Sequence, residues 1–166
     1  MIDIDEEGAL KQAAAVDQKI GQGARLPLVG VPFTTKDNLW VASRPATYGS
    51  KLYADHIAVR DSWSVEQLKK NGAICIGITN TPEFACKGIT ENPLHGITRN
   101  PRDLTLTPRG SSGGAMASVA AGLVPFALGT DAGGSTRLLG TAHGLSVYVA
   151  TNAAKPCART WYFDAV

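Results

Sequence analysis

Two glycine-flanked serine clusters, "GSSGG" at 110–114 and "GTDAGGSTR" at 129–137, lie either side of an apolar stretch. In the second, two glycines precede Ser135 at the end of an apolar run, so successive backbone N–H groups can converge on one point. Such an array suits an oxyanion or a phosphate. The phosphate loop of the form GxxxxGK[ST] carries a lysine, and none stands here. Ser135 is therefore a candidate nucleophile, and a serine hydroxyl needs a base to remove its proton. No histidine or cysteine lies between Gly110 and Arg137, which leaves the lysines.

Lys11, Lys19, Lys51, Lys69, Lys70 and Lys87 sit in polar or helix-face settings and read as solvated. Lys36 follows the proline-framed apolar segment "LPLVGVPFTT" and could be carried into the interior. Position alone favours a strand-end lysine that reaches water. A rival arrangement is also present. "GSSGG" fits G-x-S-x-G with Ser112 at its centre, followed by Asp131 and His143 in the order a hydrolase nucleophile elbow requires. Pro108, just before the turn, makes "DLTLTPRG" a poor elbow strand, and His143 follows Asp131 closely. The plainest alternative assigns "GSSGGAMASVAAG" to a helix of small residues packed close to a sheet.

The elements that must hold these residues alternate between helix and strand. Three- to four-residue apolar spacing predicts a helix over Glu6–Gly21, stopped by Gly21 and Gly23. Leu28, Val29, Val31 and Phe33 suit a short buried strand with Lys36 at or just past its end. Asp61 can cap a helix that runs to Asn71. "AICIGIT" at 73–79 reads as a strand buried on both faces, and 80–110 reads mostly as loop. A small-residue helix over Ser112–Ala121 and a strand in "VPFALGTD" follow. Alternation of Leu145, Val147 and Val149 with polar or small residues suggests another strand. The pattern implies an α/β fold with a mixed, largely parallel twisted sheet flanked by helices.

With 166 residues, 44% of them hydrophobic and 18% charged, the chain has the make-up of one globular domain. A net charge of +2 without a basic run gives no footprint for nucleic acid or anionic lipid. The longest apolar stretch, Ala115–Gly129, is broken by Ser118, Gly122 and Pro125 and is short for a membrane span. Cys75, Cys86 and Cys157 lack CxxC spacing, so no zinc site or disulfide framework is expected, and a cytoplasmic setting is.

Taken together, "PLVGVPFTTKDN", "GAICIGITNTPEFA" and "RNPRDLTLTPRGSSGGAMASVAAGLVPFALGTDAGGSTR" resemble the amidase signature family of Ser–cis-Ser–Lys amide hydrolases. The resemblance runs from Glu6 to Arg137. It implies a catalytic lysine at Lys36, a bridging serine with a cis peptide bond at Ser111, and a nucleophile at Ser135. It further implies an oxyanion hole from the N–H groups of Ala132, Gly133, Gly134 and Ser135. Ser112, Asp131 and Arg137 become supporting residues. The implied reaction cleaves a carboxamide C–N bond through an acyl-enzyme, on a small-molecule amide, with no cofactor and no metal. An inactive fragment or partner subunit, including an amidotransferase A-type subunit, is the alternative.

For that chemistry Lys36 must be neutral. At the ordinary pKa of about 10.4 only about one such amine in a thousand is neutral near pH 7.4. Burial without a carboxylate partner supplies the shift, so the Asp37 side chain is expected to point elsewhere. Three features depart from the family. Arg109 stands where a glycine is usual, Thr136 where an isoleucine is common, and the tail 138–166 loses the pattern. The family is usually more than twice this length, so the whole chain, 1–166, reads as one partial amidase domain. Its incompletely covered sheet is expected to favour self-association.

Overall fold

The computed structural model describes residues 1–137 and the strands at 145–149 and 160–165. Strand β1 (Asp3–Ile4) leads into helix α1 (Glu6–Gly21), whose N-cap Asp5 accepts the Gly8 N–H at 2.8 Å. Strand β2 (Pro32–Lys36), helix α2 (Trp63–Lys70) and strand β3 (Ile74–Thr79) follow. A two-strand ribbon, β4 (Glu91–Asn92) and β5 (Gly96–Ile97), precedes helix α3 (Gly113–Ala120) and strand β6 (Phe126–Thr130). Strands β7 (Leu145–Val149) and β8 (Thr160–Ala165) complete the order.

The main sheet runs β1-β3-β2-β6-β8-β7. Its centre, β3-β2-β6, is parallel, and the flanking pairs with β1, β8 and β7 are antiparallel. The α/β class, with a mixed sheet around a parallel core and helices against it, is the one expected from sequence.

Alternation along the strands sends side chains to opposite faces. On one face Phe33, Cys75 and Leu128 meet Val65 and Leu68 of α2. On the other, Ala127 packs against Ala115, Met116 and Val119 of α3, where the Thr34 and Ser118 hydroxyls lie 2.8 Å apart. Lys36, two residues beyond Thr34, shares that face.

Two details differ from the sequence reading. β2 begins at Pro32 rather than Leu28, because Pro27–Gly30 form a turn in which Val31 N–H bonds Leu28 C=O at 3.1 Å. A proline at the first residue of a strand forfeits no ladder bond. Asp61 does not cap α2. The N-cap is Ser62, while the Asp61 carboxylate accepts from the Ala42 N–H and from Lys69. Residues 80–110 are mostly loop, as expected, and this loop holds the short β4–β5 ribbon and many side-chain-to-backbone bonds.

Candidate active site

Lys36 closes β2 between its neighbours β3 and β6, at the C-terminal edge of the parallel strands. Its side chain is fully buried. The Nζ lies 2.8 Å from Ser111 Oγ, 2.9 Å from Thr130 Oγ1 and 3.1 Å from Ser112 Oγ. All three are neutral hydroxyls. Burial pushes the amine down to about 7, with the Asp131 carboxylate pulling weakly the other way. Desolvation therefore outweighs the one charge that favours the ammonium.

Asp37 turns away from its neighbour. Its carboxylate accepts from Thr47 N–H at 2.7 Å, Thr47 O–H at 2.5 Å and Gly49 N–H at 3.0 Å. Burial pushes this carboxyl up, against the opposing pull of those donors and of His95.

Ser111 and Ser112 sit on the turn that enters α3. Gly110 adopts φ +83°, a conformation that favours glycine, and delivers Ser111 toward the sheet. No peptide bond is cis among the described residues, so the cis bond implied for Ser111 is absent; the left-handed Gly110 brings the side chain to the lysine through a trans peptide. Gly114 lets α3 approach closely, because a Cβ there would lie 2.5 Å from both the backbone N and O of Asn80. Arg109 is exposed, and its replacement of the usual glycine leaves Pro108 and Gly110 buried.

Ser135 opens a helical turn at 135–137, just past β6. Its Oγ lies 2.8 Å from Ser111 Oγ and 3.1 Å from Ser112 Oγ, and it accepts the Ser112 N–H at 2.9 Å. A continuous chain therefore runs from Ser135 through Ser111 to Lys36. Ser112 stands beside this chain, and its hydroxyl donates to Thr130 C=O at 3.0 Å. Of the partners the elbow reading needs, Asp131 faces its own loop, and His143 lies outside the described residues.

The 131–137 loop is organised by Asp131, a buried carboxylate. It accepts Gly134 N–H at 2.5 Å, Thr136 N–H and Arg137 N–H at 3.3 Å each, and both ends of the Arg137 guanidinium fork at 3.0 and 3.1 Å. Burial alone would raise this carboxyl, but Arg137 and the N–H donors hold it below its ordinary value. Of the N–H groups expected to form the oxyanion hole, that of Gly134 is engaged by Asp131. Ala132 and Gly133 are exposed, and the N–H groups of Ala132, Gly133 and Ser135 make no hydrogen bond among the described residues. Among those residues no group of three His, Cys, Asp or Glu side chains gathers as a metal site would require.

Two members of the cluster escaped the sequence reading. Thr130 accepts from Lys36 and from Asn38 Nδ2 at 2.9 Å each, and the Ser112 N–H holds the Ser135 oxygen. The only hint was the adjacency of Thr130 to "DAGGSTR".

The family described as Amidase matches residues 1–138. The chain belongs to the amidase family. It is 45% identical over 157 residues to the indoleacetamide hydrolase of Bradyrhizobium diazoefficiens, a match that covers 94% of this chain and 30% of that protein. It is 46% identical over 137 residues to the A-type subunit of the glutamyl-tRNA(Gln) amidotransferase of Desulforudis audaxviator, covering 82% of this chain and 28% of that protein. Among solved structures, the allophanate hydrolase of Kluyveromyces lactis superposes with a TM-score of 0.86 at 30% identity, over 98% of this chain and 28% of that one. The chain thus spans about 30% of the length of the curated relatives it matches. No helix among the described residues is long and apolar enough to cross a membrane.

Proposed function

We propose that this chain carries the Ser–Ser–Lys machinery of an amidase that hydrolyses a carboxamide C–N bond through an acyl-enzyme. The observation that carries this reading is the fully buried Lys36 amine, which burial pushes down to about 7, in hydrogen-bond reach of Ser111. Ser135 is the nucleophile. As its oxygen bonds to the carbonyl carbon, its proton passes to Ser111, and the Ser111 proton passes to the Lys36 lone pair. The carbonyl π pair moves onto oxygen. The N–H groups of Ala132, Gly133 and Ser135 are the candidate donors for that anion, and loss of one such donor costs about a hundred- to a thousandfold in rate. The C–N bond then breaks as the relay returns a proton to the leaving nitrogen. Water cleaves the Ser135 ester by the same relay in reverse.

The lysine's hydroxyl tripod suits this cycle. An ammonium has three protons for its three oxygen neighbours, whereas the neutral amine has two protons and one lone pair. Only the Ser111 contact must reverse direction when the proton moves, and no heavy atom has to shift. Ser112 is held as an acceptor toward Lys36 because its own proton is given to Thr130 C=O. The substrate class is a small-molecule amide and the setting is cytoplasmic.

A second reading is favoured by two observations: the likeness to one component of an amidotransferase, and the exposed Leu10 and Ile20 on α1, which suit burial against further protein. There the chain acts as part of a larger assembly and has no turnover alone. A fluorophosphonate probe separates the two. Labelling of the wild type that is lost in Ser135→Ala supports the hydrolase; a folded wild type that does not label supports the role within an assembly.

A further inference from the structure

Nothing in the relay explains why Ser111 should stay midway between Lys36 and Ser135. Its Oγ is 2.8 Å from each, and a small rotation of the turn would break one contact to shorten the other. The backbone carbonyls on both sides of its Cα are held by side chains from elsewhere. Thr90 O–H donates to Gly110 C=O at 2.8 Å, and Thr81 O–H donates to Ser111 C=O at 3.2 Å. Both threonines are fully buried. We infer that Thr81 and Thr90 are positioning residues which clamp the peptide planes flanking Ser111 and so fix the bridging hydroxyl in the relay.

The clamp is anchored in the 80–110 segment. Thr81 C=O accepts from Asn92 Nδ2 at 2.7 Å, and Thr81 N–H donates to Asn80 Oδ1 at 3.0 Å. Thr90 C=O accepts from Thr98 N–H at 2.9 Å, and Thr90 Oγ1 also accepts Gly113 N–H at 3.1 Å. The one Thr90 hydroxyl therefore spans the turn from Gly110 to Gly113, using both its donor and its acceptor capacity. Gly110 N–H, in turn, donates to Gly88 C=O at 2.7 Å. Two peptide planes fixed at separate oxygens define the Cα–Cβ direction of the residue between them, so χ1 is the main freedom left to Ser111. Neither threonine hydrogen-bonds Lys36 or Ser135; both act through Ser111.

This inference rests on Ser111 as the bridge of the proposed relay. The test compares Thr90→Val, Thr81→Val and the conservative Thr90→Ser and Thr81→Ser in the full chain. A displacement of about 1 Å at a catalytic group can cost on the order of a hundredfold. The valine variants are expected to lose on the order of 10- to 100-fold in the fluorophosphonate labelling rate constant. Each serine variant restores it, and the pH at which labelling rises stays unchanged, because Lys36 keeps its surroundings. A crystal structure of Thr90→Val is expected to show Ser111 Oγ beyond hydrogen-bond distance of Ser135 Oγ. A folded valine variant that labels at the wild-type rate overturns the inference, as does a serine variant no better than its valine counterpart. Should the wild type not label, the hydrolase reading fails, and the clamp is judged on structure alone: a Ser111–Ser135 separation in Thr90→Val unchanged from 2.8 Å would then overturn it.

Discussion

Lys36 and Asp37 are adjacent in sequence and share no hydrogen bond. The aspartate gives its carboxylate to Thr47 and Gly49, and the lysine gives its amine to three hydroxyls. Successive residues of a strand face opposite ways, and Lys36 is the last strand residue before the turn that carries Asp37 away. The separation matters because a carboxylate paired with Lys36 would hold it charged. With the pair apart, desolvation decides the protonation state.

Activity should therefore follow the neutral fraction of Lys36. The labelling rate and kcat/KM are expected to rise from about pH 6, pass half-maximum near the amine's value of about 7, and level off above about pH 8. A flat profile from about pH 5 to about pH 9 would remove Lys36 from the base role.

The two serines of "GSSGG" should behave differently from the nucleophile and from each other. Ser135→Ala and Lys36→Ala are expected to abolish turnover and labelling. Ser112→Ala retains the backbone N–H that holds Ser135 and is expected to lose about fivefold, in line with a hydrogen bond worth about 1 kcal/mol. An active Ser135→Ala beside a dead Ser112→Ala would move the nucleophile to the elbow position.

Lys36 should also destabilise the fold. Its folded pKa is lowered from 10.5 to about 7, so between those values the unfolded chain binds the extra proton. The full cost, about 5 kcal/mol at the usual free energy per pKa unit, applies below pH 7 and fades toward pH 10.5. Lys36→Met is expected to be inactive, and its stability relative to wild type should be greatest near pH 6 and decline by about pH 9. A relative stability that grows with pH would contradict the assignment.

Asp131 offers a test with the opposite reach. Its lowered carboxyl contributes stability present above the unfolded value and lost as pH falls through the folded one. Because its charge raises the Lys36 value, Asp131→Asn should move the rise in labelling to lower pH as well as weaken the hold on Gly134 and Arg137. A shift to higher pH would mean that Asp131 does not act on Lys36 electrostatically.

Much of this arrangement was legible in the sequence, and the gaps have physical causes. Periodicity and stop signals located α1, β3, α3 and β6 to within a residue or two, because each is a local pattern. The depth of Lys36 was not legible. Its position favoured a solvated strand end, and the structure buries it because β2 starts later and lies between two parallel neighbours. Thr81, Thr90 and Thr130 were missed for a related reason. A hydroxyl that reaches a carbonyl 20 or 30 residues away leaves no periodic trace. The involvement of Gly134 with Asp131 was likewise hidden, since "DAGGS" does not say which N–H turns inward and which outward.

The most direct test of the central claim is a titration of the Lys36 side-chain nitrogen by NMR, in protein labelled with 15N at the lysine Nζ. Burial among neutral hydroxyls predicts a midpoint near 7. A midpoint of about 10, the ordinary value of a lysine side chain, would contradict it.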